Sequence, residues 1–243
     1  MTGAVFTYQT HLLYVGPLIS CLRHKHHAGQ VMWVPGGLSV YDERDSHRRV
    51  TLHLVPPDTF HHHGAAPCAA VLWVDRDDLL WDRAADHQAQ RALPHTVPAA
   101  DTLQPAAARE LARGLLELVA PTQRARALAP LHPAVKRMCA LLDSTASERS
   151  ISMTEQARQS GLSTRQLRHR FTAELGINPS AYLRWRRLRR ALTAIQHGAT
   201  LTQAALEGGF ADGAHFSRVF QAQFGMTPSQ AVSAVRFGGA LSD

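Results

Sequence analysis

The sequence predicts an α+β protein: a small antiparallel β domain, a helical linker, and an all-α domain with two helix-turn-helix motifs joined by a long helix. Three observations carry this prediction. Short runs rich in β-branched and aromatic residues alternate with turn residues between Leu12 and Val74. From about Leu103 onward, apolar residues recur every three to four positions, the period of an amphipathic helix. The last third of the chain contains an internal repeat.

The N-terminal region is predicted as an antiparallel sandwich or barrel. Its four apolar runs are LLYVGPLI, VMWVPGGLSVY, VTLHLVPP and AAVLWV. Pro35-Gly36-Gly37 and Pro56-Pro57-Asp58 are turn sequences that separate them. Residues 82–101 are polar and alanine-rich, which is typical of a boundary. We therefore divide the chain into residues 1–100, a linker or dimerisation region at 101–130, and a third domain at 131–243.

Composition indicates that the two ends of the chain have different roles. With 243 residues and 45% hydrophobic content, the chain can bury a core. Residues 1–150 carry fifteen basic and fourteen acidic side chains, whereas residues 151–243 carry eleven and five. The basic end favours a polyanionic partner, DNA or RNA, with an anionic membrane surface as the weaker alternative.

The cysteines and the hydropathy pattern bear on location. Cys21, Cys68 and Cys139 are far apart and form no C-x-x-C pair, which argues against a disulfide framework and against a cysteine zinc site. Neither a signal peptide nor a membrane span is readable. We expect a protein of the cytoplasm that does not enter a membrane.

Helix signals are strongest in the repeated segment. Capping pairs, Ser152 with Glu155 and Thr200 with Gln203, begin a short helix in each copy. In the first copy Gly161 ends that helix, and a second helix begins near Ser163. In the second copy Gly209 ends the short helix, and the second helix begins near Asp212. Each copy is therefore predicted to be a helix-turn-helix, whose second helix can enter the major groove of DNA.

Three further helices are predicted around the repeat. Residues 179–196 form one continuous helix whose apolar face fixes the separation of the two motifs. A helix over about residues 133–142 and another from about Leu103 to Leu118 precede the repeat. The latter either pairs with a second copy of the chain or covers the sheet.

Two segments resemble the helix-turn-helix motifs of the AraC/XylS family of bacterial transcription regulators. They are LSTRQLRHRFTAELGINPSAYLRWRRLRRAL and GGFADGAHFSRVFQAQFGMTPSQ, and the resemblance covers roughly residues 135–235. Residues upstream resemble, more weakly, the cupin-like sensing domain of many family members. The resemblance implies a cytoplasmic, sequence-specific regulator that binds double-stranded DNA and usually responds to a small molecule. RNA polymerase and a second copy of the chain are further expected partners.

The expected DNA-contacting residues lie on the second helix of each motif. In the first motif Leu167, Phe171 and Leu175 face inward by their spacing, and the family's base-reading positions fall on Arg165, Arg168 and His169. The full set of expected DNA-binding residues is Thr164, Arg165, Arg168, His169, Gly213, His215, Ser217 and Arg218. The second motif has fewer side chains able to read bases, so we expect weaker sequence choice there and more backbone contact.

Histidines cluster in the upstream domain. His24 with His26, and His61 after a P-x-D-x-x-H run, copy the ligand spacing of metal-binding cupins, but Gln30 stands where their carboxylate is expected. A neutral amide cannot supply an anionic ligand, so the sequence predicts neither a metal nor a cofactor. We expect instead a small-molecule pocket within the sheet. Its candidate lining is His26, Trp33, His53, His61 and Trp73.

The alternative to a non-enzymatic regulator is an enzyme that carries the same DNA-binding module. A metal-dependent cupin oxygenase would hold a transition metal in stoichiometric amount. A DNA-repair protein would need a zinc-binding cysteine cluster, and the three cysteines lack that spacing. No catalytic residues are predicted.

Overall fold

A computed structural model describes residues 2–8, 11–42, 44, 46–74, 93, 95–118, 131–144 and 152–240. The chain divides into two compact units, one of residues 1–126 together with 220–243, and one of residues 127–219. This division differs from the predicted one, which assigned all of 131–243 to one domain. The last residues of the chain instead group with the N-terminal sheet.

The first unit is built on one seven-stranded sheet. Its strands are β1 (Gly3–Thr7), β2 (His11–Leu18), β3 (Gly29–Tyr41), β4 (His47–Val55), β5 (His62–His63), β6 (Ala66–Val74) and β7 (Val235–Ala240). They are ordered β4-β3-β6-β2-β1-β7, and β5 pairs with β3. All of these pairings are antiparallel except that of β1 with β7, which is parallel. The four predicted strand runs are confirmed, whereas β1, β5 and β7 were not predicted.

One face of this sheet is covered by helix α1 (Pro105–Glu117). Successive residues of a strand point to opposite faces, so Val31 and Trp33, two positions apart on β3, point to the same face. Their cross-strand partners on β4 and β6 point to that face as well. That face and the buried side of α1, including Leu111 and Leu115, form one apolar cluster. The apolar stripe of α1 therefore covers the sheet, which is one of the two roles predicted for it.

The Pro35-Gly36-Gly37 segment does not end a strand, contrary to prediction. Strand β3 continues through it, and the register with β4 shifts between Trp33 and Leu38. Gly37 has a φ of 83°, and a Cβ there would lie 2.6 Å from Nε of Arg49. These residues form an irregularity within a long strand, because glycine accepts the conformation that a bulge requires. Asp58, in the second predicted turn, also has a positive φ of 60°.

The second unit is helical. Its helices are α2 (Pro133–Ser144), α3 (Met153–Gln159), α4 (Thr164–Leu175), α5 (Pro179–Gln196) and α6 (Leu201–Glu207). Helix α7 (Gly213–Phe224) begins in this unit and ends in the first one, and α8 (Pro228–Ser233) precedes β7. Helix α5 has the predicted bounds. No helix among the described residues is both long and apolar enough to cross a membrane.

Two packing features hold the helical unit together. Val135, Met138 and Leu142 of α2 share an apolar cluster with Phe171 of α4 and Tyr182 of α5. Helices α5 and α6 approach closely at Gly208, where a Cβ would lie 2.9 Å from Cβ of Ala191. The long helix thus packs against the first helix of the second motif, as its apolar face predicts.

Candidate nucleic-acid interface and buried histidine cluster

Helix α4 is the recognition helix of the first motif. Ser163 begins it with a full capping box, in which the Ser163 side chain accepts from the Gln166 amide and the Gln166 side chain accepts from the Ser163 amide. Leu167, Phe171 and Leu175 are buried, as predicted from their spacing. The opposite side of the helix is therefore the side that solvent reaches.

The predicted reading residues of α4 lie on that outer side. Arg165, Arg168 and His169 are exposed, and Thr164 is half-buried. Within the described part of the chain, neither Arg165 nor Arg168 forms an ion pair, whereas Arg170 lies 3.7 Å from the carboxylate of Glu174. Two guanidinium groups on one helix thus keep all their donors available to an external acceptor.

Helix α7 is the recognition helix of the second motif. Its first turn is capped by Asp212, whose carboxylate accepts from the His215 amide at 2.6 Å. Gly213 and Arg218 are exposed, whereas His215 and Ser217 are half-buried. The His215 ring packs edge-on against Phe210, with centroids 5.4 Å apart. Arg218 is thus the exposed charged group among the residues predicted here.

Two arginines of α5 are held by a residue that the sequence did not single out. Asp143, near the end of α2, accepts from Nε of Arg186 at 2.6 Å, and its backbone carbonyl accepts from Arg190 at 3.3 Å. Burial lowers the pKa of Arg190, and repulsion from neighbouring arginines adds to this. Arg186 and Arg190 therefore tie α5 to α2. No local sequence signal predicts these contacts, because the partners are more than forty residues apart.

The first unit contains a buried cluster of three histidines. One ring nitrogen of each of His24, His26 and His61 lies within 4.8 Å of the others, and all three residues are buried. Each Nδ1 lies at hydrogen-bond distance from a backbone carbonyl: Leu22 at 2.8 Å, Ala28 at 2.7 Å and Thr59 at 3.0 Å, respectively. A carbonyl oxygen can only accept, so in each neutral ring the proton sits on Nδ1 and the lone pair on Nε2.

The environment keeps these rings neutral. Burial lowers the pKa of His24 to about 4, and repulsion from His26 contributes. Burial also lowers the pKa of His26 to about 4, although its bond to Ala28 partly opposes this. The pKa of His61 is lowered for the same reason, with further repulsion from His26 and His24. At neutral pH all three rings are therefore uncharged imidazoles.

The predicted small-molecule pocket is brought together only in part. A cavity of about 450 Å³ is lined by His53 and His61 together with polar and apolar neighbours. Burial lowers the pKa of His53 to about 4. The cavity lining is Tyr41, Asp42, Arg44, Ser46, Arg48, His53, Leu54, Val55, Pro56, Thr59, Phe60 and His61.

Three predicted pocket residues lie elsewhere. Trp33 packs in the apolar cluster under α1, on the opposite face of the sheet from His53, because it pairs with Leu52 and the side-chain direction alternates. Trp73 packs edge-on against Phe224, with centroids 5.9 Å apart. His26 belongs to the histidine cluster beside the cavity. The sequence could not assign these faces, since the register shift within β3 was not visible in it.

Comparisons with known proteins agree with this arrangement. Residues 156–233 match a protein family described as a helix-turn-helix domain. The HTH-type transcriptional activator RhaR of Salmonella schwarzengrund is 36% identical over 84 residues, which are 34% of this chain and 30% of RhaR. RhaR of Salmonella arizonae is 38% identical over 73 residues, 30% of this chain and 26% of RhaR. The chain thus spans about 30% of the length of the curated relatives that it matches.

The solved structures include matches to the whole fold. Unsaturated fatty acid bound ToxT from Vibrio cholerae matches with a TM-score of 0.60 and 14% identity, covering 96% of this chain and 98% of that one. ToxT bound to a naphthalenyl butenoic acid matches with a TM-score of 0.59 and 11% identity, covering 94% of this chain and 100% of that one. At such identities the likeness concerns the fold.

The two capped motifs around α5 define a double helix-turn-helix protein with an N-terminal β unit. Its C-terminal part is similar to the helix-turn-helix domain family and to the RhaR transcriptional activators. These relatives are named as transcriptional activators.

Proposed function

We propose that this chain is a sequence-specific, DNA-binding transcription regulator whose activity is modulated by a small molecule bound in its β unit. The observation that carries the proposal is the pair of exposed arginines on α4, Arg165 and Arg168, neither of which is neutralised by an ion pair within the described residues. Arginine can donate two hydrogen bonds to guanine in the major groove. The activator names of the relatives support activation as the direction of control.

Base reading, rather than charge alone, is the testable part. Arg168 is exposed and free of ion pairs, whereas Arg170, two positions along the same helix, lies beside Glu174. Arg168→Ala is expected to weaken binding to the preferred DNA by about 1–3 kcal/mol relative to random DNA. Arg170→Ala is the matched control, because it removes the same charge from the flank of the helix.

The experiment begins with selection of bound duplexes from a random pool by the full chain. Fluorescence anisotropy then gives Kd for the selected duplex and for a scrambled one, at several salt concentrations. Loss of preference in Arg168→Ala, with preference retained in Arg170→Ala, supports the proposal. Equal losses on both duplexes would reduce Arg168 to a phosphate contact, and a wild-type chain that enriches no sequence would refute sequence-specific binding.

The effector proposed for the β unit is a small amphipathic anion. Arg44 and Arg48 line the cavity beside the apolar side chains of Leu54, Val55 and Phe60. The Asp42 carboxylate, also in the lining, is engaged by the backbone amides of Arg44 and Ser46. The fatty acid bound to the structurally similar ToxT has the same chemistry, a carboxylate on an apolar body.

Calorimetric titration with palmitoleate tests this proposal, with its uncharged methyl ester as the control ligand. We expect binding of the acid, weaker binding of the ester, and loss of that difference in Arg48→Ala. Equal affinity of the wild-type chain for the acid and the ester would contradict the proposed contact between the arginines and the carboxylate.

A homodimer, contact with RNA polymerase and a cytoplasmic location are proposed from the family alone. Because the apolar stripe of α1 is buried on the sheet, any dimer would use another surface of this helix or another element. Sedimentation velocity over a concentration series tests the oligomeric state.

A further inference from the structure

We propose that His24, His26 and His61 form a binding site for one divalent transition metal ion of the kind that prefers imidazole nitrogen, such as Zn²⁺. The site is independent of DNA reading and goes beyond the proposed function. It also departs from the expectation drawn from the sequence, where Gln30 in place of a carboxylate argued against a metal.

The hydrogen bonds of the three rings point to metal ligation. Metal-binding histidines almost always donate their second ring N–H to a carboxylate, a backbone carbonyl or water, which fixes the tautomer and orients the other nitrogen. Here three backbone carbonyls, those of Leu22, Ala28 and Thr59, each hold one Nδ1. The three rings thus share one tautomer with the lone pair on Nε2, although they come from two separate stretches of the chain.

One of the three lone pairs is buried without a donor. Nε2 of His61 is buried and has no hydrogen-bond partner within the described structure. Nε2 of His26 faces the side-chain amide of Gln30, with Oε1 at 3.3 Å, and a 180° turn of that amide exchanges its oxygen and its NH2 group, so Gln30 can either donate to this nitrogen or turn its oxygen toward a cation. A buried acceptor without a donor is costly, and a cation bound at Nε2 of His61 would satisfy it.

The backbone fixes two of the three ligands in advance. His24 and His61 form an isolated antiparallel bridge, with each amide donating to the other's carbonyl at 3.0 Å. Zinc–nitrogen bonds of about 2.0 Å place tetrahedral ligand nitrogens about 3.3 Å apart. Side-chain rotations that bring the rings together from within 4.8 Å would complete the site. Gln30, which is buried beside His26, is placed to offer its amide oxygen as a fourth ligand.

The donor set selects the class of ion. Three neutral imidazoles suit Zn²⁺, Ni²⁺, Co²⁺ or Cu²⁺, whereas Ca²⁺ and Mg²⁺ require several oxygen ligands. Three protein nitrogens with one further position also match the ligand count of open zinc sites.

The cluster lies directly against the turn that ends helix α7. His24 donates from Nδ1 to the carbonyl of Leu22, and the amide of Leu22 donates to the carbonyl of Gly225 at 3.3 Å. A Cβ on Gly225 would lie 2.9 Å from Nδ1 of His24. Because a bound ion would restrain the His24 ring, it should also restrain this turn. Slower hydrogen exchange of the Leu22 amide is therefore a second consequence of metal binding.

The test uses the full chain stripped of metal with a chelator and then dialysed. Titration with Co²⁺ is expected to produce visible d–d absorption that saturates at one ion per chain and is displaced by Zn²⁺. Calorimetry should give one Zn²⁺ site, and X-ray absorption of the zinc-loaded chain should show three imidazole ligands. Hydrogen exchange of Leu22 should slow when Zn²⁺ is added.

His61→Ala and His26→Ala should each weaken Zn²⁺ binding about a hundredfold or more, since losing a ligand should cost at least as much as losing an outer partner. His62→Ala is the matched control, because that ring stacks on Tyr41, with centroids 4.3 Å apart, and lies outside the cluster. Unchanged circular dichroism would show that the variants fold.

The cobalt and X-ray absorption measurements need no variant, so misfolding of a variant would not leave the proposal untested. A wild-type chain that takes up no stoichiometric Co²⁺ or Zn²⁺ would overturn the proposal. Equal loss of binding in His62→Ala and His61→Ala would also overturn it. Failure of DNA binding would not affect it, because neither readout involves DNA.

Discussion

The two recognition helices are similar in their caps and buried side chains but differ in their exposed side chains. Each is twelve residues long, begins with a capped first turn and buries phenylalanine on its inner side. Helix α4 presents three arginines and a histidine to solvent, and two of those arginines form no ion pair within the described residues, whereas α7 presents one arginine among small or half-buried side chains. Similar packing of the two helices therefore does not imply similar recognition of DNA bases, because packing depends on the inward side chains and base recognition on the outward ones.

The helices also differ in where they end. Helix α4 lies entirely in the helical unit, whereas residues 220–224 of α7 group with the β unit. The turn after α7 touches Leu22 and His24, next to the histidine cluster. Any change in that cluster is therefore expected to reach the second recognition helix before the first.

Truncation of the inner phenylalanines should produce the largest effect and tests whether the framework is shared. Phe171 and Phe216 are at most 1% exposed. Phe171→Ala and Phe216→Ala should each lower the free energy of unfolding by about 3–5 kcal/mol. Urea unfolding followed by circular dichroism measures both, with the exposed Thr172→Ala as control. A loss below about 1 kcal/mol at only one site would show that the two helices are not packed equivalently.

Acidification should destabilise the β unit. The folded-state pKa of His24 and of His26 is about 4, below the ordinary value of 6.5, so the unfolded chain binds more protons between these values. Above pH 6.5 the two rings are neutral in both the folded and the unfolded chain, and the free energy of unfolding is at its full value. This free energy falls as pH falls toward 4, by about 1.4 kcal/mol per pH unit for each histidine.

Urea unfolding of the metal-free chain between pH 7 and pH 5 measures this slope, and His26→Gln should reduce it. Hydrogen exchange at pH 5 should show the end of α7 losing protection before α4. Simultaneous loss in both helices would argue against the link through Gly225.

Recognition of DNA bases should differ between helices α4 and α7. Arg165→Ala should cost about 1–3 kcal/mol of discrimination between the selected duplex and a scrambled one. Arg218→Ala should weaken both complexes similarly and lower the salt dependence of log Kd by about one. Anisotropy titrations at several salt concentrations separate these outcomes, and Arg170→Ala again serves as control. Greater discrimination lost at Arg218 than at Arg165 would reverse the assignment.

Removal of the helix caps should have the smallest effect and should be similar in the two motifs. Ser163 accepts from the Gln166 amide, and Asp212 accepts from the His215 amide. Ser163→Ala and Asp212→Ala should each cost about 1 kcal/mol of stability. Urea midpoints measure the loss, and the nearby exposed Gln159→Ala is a control outside both caps. No change in either midpoint would indicate that water replaces the caps without cost.

The helical half of the fold could be predicted closely. Asn178, Pro179 and Gly198 mark the ends of α5 through local cap and exit signals, and these act within a few residues. The inner residues of α4 were predicted for the same reason. The capping pair at Ser152 is confirmed only in part, since Ser152 accepts from the Glu155 amide while the Glu155 side chain pairs with Arg158.

The β unit was harder to predict because its signals are not local. Gly36 and Gly37 suit a turn and a bulge equally well, and only pairing with β4 distinguishes the two. Strand β7 is short and glycine-containing, and its pairing with β1 joins residues more than two hundred positions apart. The faces assigned to Trp33 and Trp73 depended on that register.

The sequence by itself determined the two helix-turn-helix motifs, the helix between them and the outward position of Arg165, Arg168 and His169. Each of these follows from helical period and from caps that contact residues three or four positions away. Only the tertiary structure decided that His24 and His26 meet His61, that Asp143 holds Arg186, and that the end of the chain joins the N-terminal sheet. Those contacts depend on closure of long loops and on strand register, and no short stretch of sequence encodes either.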